Sequence, residues 1–99
     1  MNEYIQASID LIGKGAFFML GATNRAYDIK DNSIIFKIKV STKVTHIKLI
    51  YTSDDLYTII FYKIRGTQPI KIVSEHKGLY NDMVHKSIEQ NTGLYTKLF

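Results

Sequence analysis

Apolar and polar residues alternate most cleanly over residues 33–40 and 45–51, and these runs predict the two strands around which the chain is organised. In the first, Ile34, Phe36, Ile38 and Val40 share one face while Ile35, Lys37 and Lys39 share the other. In the second, Ile47, Leu49 and Tyr51 oppose His46, Lys48 and Ile50. Such alternation belongs to antiparallel strands with one buried and one wet face. Residues 56–65 predict a third strand, apolar on both sides, with Tyr57, Ile59 and Phe61 against Ile60, Tyr62 and Ile64. That pattern suits a central place. Pro69 allows only a strand start or an edge, so residues 69–73 predict a short fourth strand. Turns are expected at 41–43, 53–55 and 66–69.

The flanks carry a helical period. Ile5, Ile9 and Ile12 form one stripe and predict a helix over residues 2–12, with Asn2 as cap and Glu3 in the first turn. An alternating reading through Ile5, Ala7 and Ile9 is weaker, because Leu11 and Ile12 continue the helix. Gly13-Lys14-Gly15 then predicts its stop. The apolar run 16–20 suits either a buried strand or a core-plugging segment, and periodicity does not choose between them. Residues 25–32 are polar and end in the turn pair Asp31-Asn32.

Past Lys77-Gly78 a last helix is predicted from Tyr80 or Asn81 to Asn91, with Tyr80, Val84 and Ile88 as its stripe. Asn81 or Asp82 suits its start, Gly93 its end, and Leu94 the apolar contact just beyond. Tyr95, Leu98 and Phe99 are expected to pack back onto the core. The sum is a single α+β domain over residues 1–99. Its centre is an antiparallel β-meander of about four strands, with an N-terminal and a C-terminal helix packed on one face. The other face is left to water or to a partner.

Composition narrows the chemistry. The absence of cysteine excludes disulfides, cysteine-based zinc sites and a thiol nucleophile. The longest apolar run, 16–20, is far short of the roughly 20 residues a membrane span needs. The N-terminus lacks the basic lead of a signal peptide. A cytoplasmic protein with no membrane partner is expected. The formal net charge is +4, and its placement matters more than its size. Residues 33–73 hold seven basic and two acidic side chains, a net +5, whereas the flanks hold six basic and seven acidic, a net −1. The positive excess belongs to the sheet.

Catalytic groupings are missing from the pattern. The serines sit in no G-x-S-x-G elbow, and His46, His76 and His85 show no metal-ligand spacing. Glu75-His76 as an acid–base pair, Asp54-Asp55 as a cation site and Gly13-Lys14-Gly15 as a phosphate loop each have a plainer reading as loop, turn and helix stop. No enzyme, metal or cofactor is expected. One constellation stands out. In the expected register Lys37, Lys39, His46 and Lys48 project from one side of the sheet, with Tyr62 and Thr58 from the third strand and Lys71 from the fourth. Cations interleaved with an aromatic ring hold single-stranded DNA or RNA, phosphates neutralised and bases stacked. Lysines on a wet sheet face also serve solubility and edge protection. Ile35, Ile50, Ile60 and Ile64 on the same outer face suggest the competing use, contact with a second copy or a host protein.

Two stretches, residues 11–24 (Leu-Ile-Gly-Lys-Gly-Ala-Phe-Phe-Met-Leu-Gly-Ala-Thr-Asn) and 75–83 (Glu-His-Lys-Gly-Leu-Tyr-Asn-Asp-Met), carry a resemblance, together with Asp55-Leu56-Tyr57 and the end 91–98. In these the chain resembles a group of small uncharacterised proteins carried by bacterial phages and plasmids. Where that group has a basic residue before the phenylalanine and a threonine before Gly-Ala, this chain has Ala16 and Leu20. The resemblance implies a mobile-element origin, where DNA handling and interference with host defences are common tasks. The expected function is a small non-enzymatic binding protein of a mobile genetic element, binding nucleic acid through the basic sheet face. The alternative is a protein–protein interaction module, as a homo-oligomer or a binder of host factors.

Overall fold

The computed structural model describes residues 3–39, 44–52, 56–64, 66 and 69–94. The expectations for Asn2, for turns 41–43 and 53–55, and for Tyr95, Leu98 and Phe99 lie outside the described residues. The elements are α1 (Glu3–Leu20), β1 (Thr23–Asp28), β2 (Ser33–Lys37), β3 (His46–Tyr51), β4 (Tyr57–Lys63), β5 (Lys71–Leu79) and α2 (Asn81–Thr92). The strands form one antiparallel sheet in chain order, β1-β2-β3-β4-β5. The fold is the expected α+β meander with a helix at either end, and it has five strands.

β2, β3 and β4 lie where alternation predicted them. Their inward residues Ile34, Phe36, Ile47, Leu49, Tyr57, Ile59 and Phe61 join Ile12, Ala16, Phe17 and Leu20 of α1 and Val84 and Ile88 of α2 in one core. α1 crosses β2 and β3, and α2 crosses β4 and β5, so both helices cover the same face. Phe17 meets Phe36 edge to face at 5.3 Å. At the opposite end of α1, Tyr4 meets Tyr51 at 5.0 Å. Ser8, wholly buried within that stripe, is satisfied by donating to the Tyr4 carbonyl at 3.1 Å.

The helix does not stop at Gly13-Lys14-Gly15. It bends there, and residues 16–20 are its second half rather than a strand or plug. Gly13 adopts φ 80°, ψ 156°, a conformation open to glycine, and the chain then resumes its helix. The buried stripe runs through the bend, from Ile5, Ser8 and Ile12 to Ala16, Phe17 and Leu20. A bend interrupts the hydrogen-bond ladder, and His85 of α2 supplies a donor: its Nε2 lies 2.8 Å from the Leu11 carbonyl.

The edges were the other departures. β1 is a strand exposed at all six positions, which leaves no alternation to read. A register shift lies between Thr23 and Ala26, where Asn24 takes a left-handed φ of 53°. β5 continues through Glu75-His76-Lys77-Gly78, a stretch that reads as junction and loop in sequence. Two register shifts against β4 break its period. α2 ends as expected, with Gly93 at φ 72° and its N–H donating to the Glu89 carbonyl at 3.0 Å, while Leu94 packs against the core. Its stripe is Val84, Ser87, Ile88 and Thr92; Tyr80, expected in it, is 63% exposed.

The two glycines of the bend have different duties. Alanine at Gly13 must hold a positive φ and lowers stability by about 1–3 kcal/mol. Alanine at Gly15, which is helical with open space around it, changes stability by less than about 1 kcal/mol, in the stabilising direction. Urea unfolding of the two variants beside the parent chain measures both.

Candidate functional site: a basic end on the open sheet face

Register sorts the open face into rows. Lys37 stands opposite His46, His46 opposite Tyr62, and Tyr62 opposite Ile72, with Thr23 opposite Lys37 at the β1 edge. The next row is Ala26, Ile35, Lys48, Ile60 and Glu75. The third holds Asp28, Ser33, Ile50 and Thr58. The first row is therefore the basic and aromatic one, at the end of the sheet towards which α1 runs.

Lys37 in that row is exposed. His46, beside it, is part-buried. Burial, and then the nearby Lys37 ammonium, hold its imidazole below the ordinary histidine value, so the ring is neutral at neutral pH. Thr45 Oγ1 lies 2.8 Å from His46 Nδ1 and 3.4 Å from the Tyr62 carbonyl, and accepts the Ile64 N–H at 2.8 Å. One threonine hydroxyl thus ties the start of β3 to the end of β4, directly beneath the row.

Lys39 lies just past the end of β2, against the end of α1. Its N–H donates to the Leu20 carbonyl at 2.8 Å, and its stem covers Gly21, where an added Cβ would fall 2.9 Å from Lys39 Cβ. α1 has no basic residue in its last turn, so Lys39 also brings a cation to the negative end of that helix.

Two of the expected residues stand apart from this group. Lys71 opposes Lys63, one residue beyond Tyr62, so it shares the basic end but projects on the helix side of the sheet. The shift between Phe61 and Tyr62 sets this phase. Lys48 is on the open face but is engaged: its Nζ lies 3.0 Å from Asp31 Oδ2. Asp31 also accepts a short hydrogen bond from the Ser33 hydroxyl. Burial opposes ionisation of Asp31, but Ser33 and the Lys48 ammonium outweigh it and hold the carboxyl below its ordinary value. The hydrogen bond to Asp31 raises Lys48 above its own, against a smaller opposing effect of burial. Sequence reasoning missed Asp31 because it sits in a turn with no periodicity.

Among the described residues of the sheet and the β1–β2 turn, the carboxylates lie away from the first row. Asp28 and Asp31 are at the far end, and Glu75 is in the middle row, 3.4 Å from Lys77. Glu75 and His76 are no acid–base pair. Glu75 shares its side with Ile60, whereas His76 shares the other with Ile59 and lies 3.4 Å from Asn91 Oδ1. The outer isoleucines are also less available than their positions imply. Ile35, Ile50 and Ile64 are part-buried and Ile60 is 8% exposed, whereas exposed apolar side chains lie at the β5 edge, on Ile70, Ile72 and Val73. Among the described residues no cluster of His, Asp or Glu could hold a metal ion, and no helix is long and apolar enough to cross a membrane.

No protein-family model, curated protein or solved structure matches the chain. The functional reading rests on the surface itself.

The Asp31–Lys48 pair has a definite pH signature. Asp31, depressed in the fold, contributes stability above the ordinary carboxylate value and loses it as the pH falls through the lower folded value. Lys48, raised, contributes below the ordinary lysine value and loses it as the pH rises through the higher one. Asp31→Asn therefore destabilises by less than about 1 kcal/mol at neutral pH, the scale of a solvent-screened pair. Thermal melts across pH show the difference from the parent chain closing in acid.

Proposed function

We propose that the protein is a non-enzymatic binder of single-stranded nucleic acid, serving a mobile genetic element. The observation that carries the reading is the cross-strand row Lys37–His46–Tyr62, with Lys39 and Lys71 at the same end of the sheet and Asp28 and Asp31 at the other. Two interstrand steps of about 4.8 Å separate Lys37 on β2 from Tyr62 on β4, so cation and ring lie about 10 Å apart on the open face, while Lys71 projects on the other side. Phosphates lie against Lys37 and Lys39, and a base stacks on the Tyr62 ring. Lys48 has a structural duty toward Asp31 and is not part of the contact. The mobile-element part of the proposal rests on the resemblance in residues 11–24 and 75–83 alone.

The test is titration of a labelled single-stranded oligonucleotide, followed by anisotropy. Lys37 and Lys39 by themselves give log affinity against log salt a slope of about −1.4, from roughly 0.7 per phosphate on a single strand. Lys37→Glu/Lys39→Glu weakens binding at least tenfold, whereas Lys48→Ala leaves affinity within about twofold. No binding at low salt overturns the reading.

Affinity also depends on pH through His46. Its neutral ring gains a charge as the pH falls below its depressed value, next to Lys37 and inside the proposed phosphate track. Binding tightens on that descent, and His46→Gln removes the tightening. Parallel titrations at neutral and mildly acidic pH measure both.

A further inference from the structure

An open-sided cavity of about 530 Å³ lies between α1, at the Gly13 bend, and the β1 edge. Phe17 and Phe18 line it, with Lys14 and Arg25 as cations and Asp10 as a single carboxylate. Arg25 lies over the Phe17 ring, 4.4 Å from its centroid. Phe18 is 78% exposed, the largest fraction among the exposed hydrophobic side chains of the described residues. An aromatic ring turned to solvent beside two cations has the chemistry that holds a base and its phosphate.

The cavity adjoins the basic end. Ala22 lines it, Thr23 next in the chain stands opposite Lys37, and Gly21 just before lies under the Lys39 stem. The basic row faces away from the helices and the cavity is lined by α1, so a strand joining the two rounds the end of β1 beside Gly21, Ala22 and Thr23.

We infer that this cavity receives one nucleotide of a single strand lying on the basic end, its base stacked on Phe18 and its phosphate held by Lys14 and Arg25. The inference rests on the nucleic-acid reading above and extends it from the sheet face to the bend of α1. The two cations outnumber Asp10, so the cavity remains complementary to a phosphate. The Asp10 carboxylate, already accepting from the Gln6 amide at 2.9 Å, has a second oxygen for an exocyclic amino group.

The chain contains no tryptophan, so Phe18→Trp places a single indole reporter at the cavity mouth. Titration with a single-stranded oligonucleotide is expected to quench its fluorescence over the same concentrations at which anisotropy reports binding. Phe18→Ala, at an exposed position and checked for folding by circular dichroism, weakens binding about 5- to 100-fold with an unchanged salt slope. Lys14→Ala/Arg25→Ala instead makes the slope shallower by about 0.7. Binding with neither quenching nor a loss in Phe18→Ala overturns the cavity assignment and leaves the basic end standing. Absence of oligonucleotide binding by the parent chain overturns the basic-end reading itself. Quenching by a free mononucleotide without oligonucleotide binding overturns the strand as occupant.

Discussion

The bend of α1 at Gly13 is the constraint on which the rest of the structure turns. A straight helix of 18 residues is about 27 Å long, whereas β2 and β3 beneath it have five and six residues and span roughly 20 Å or less. By breaking direction at one residue, α1 places Tyr4 on Tyr51 at one end of the sheet and Phe17 on Phe36 towards the other. The same break gives α2 a contact, through His85 and the Leu11 carbonyl. Beyond the bend Phe17 is inside the core and Phe18, the next residue round the helix, is outside and lines the cavity.

Placing both helices on one face explains the sheet's polarity. α1 ends two residues before Thr23, at the end where Lys37, Lys39, Lys63 and Lys71 gather. α2 sets out after Leu79, which pairs with Tyr57 at the opposite end, and so runs in the same direction. Neither helix has a basic residue in its last turn. Lysines at that end therefore offset the negative helix termini as well as keeping the surface soluble. That role accounts for Lys39 and contributes to Lys71. It does not account for His46 and Tyr62, which face away from the helices in the Lys37 row.

The legible part of the fold was whatever repeats. Ile34, Phe36, Ile47, Leu49, Ile59 and Phe61 are buried where alternation places them, and the Lys37–His46–Tyr62 row follows from the same phase. Gly93 marks the end of α2 through its left-handed backbone. The parts that escaped are those where a single residue breaks the period. One glycine in α1 looks like a stop in sequence because glycine permits a bend as readily as an end. A register shift in β5 sends Lys71 to the other side, and no periodicity anticipates the phase of a bulge. Alternation places Lys48 on the open face, but nothing periodic announces its partner, Asp31, which reaches it from a turn.

The edges bear on how the surface is used. β1 and β5 are both exposed, and an open edge invites pairing with another chain. Both carry irregular register, at Thr23–Ala26 in β1 and at two places in β5, and β5 also carries Lys71, Glu75 and Lys77. Bulges and charges are the devices that discourage edge-to-edge association. At the centre of the open face the apolar side chains are covered, since Ile60 is buried and Ile35 and Ile50 are half-covered beside Lys48, and the exposed ones, Ile70, Ile72 and Val73, lie at the β5 edge. Sheet extension is thus weakened by local structure, and in the charged row Lys37 is exposed while His46 and Tyr62 are half-buried.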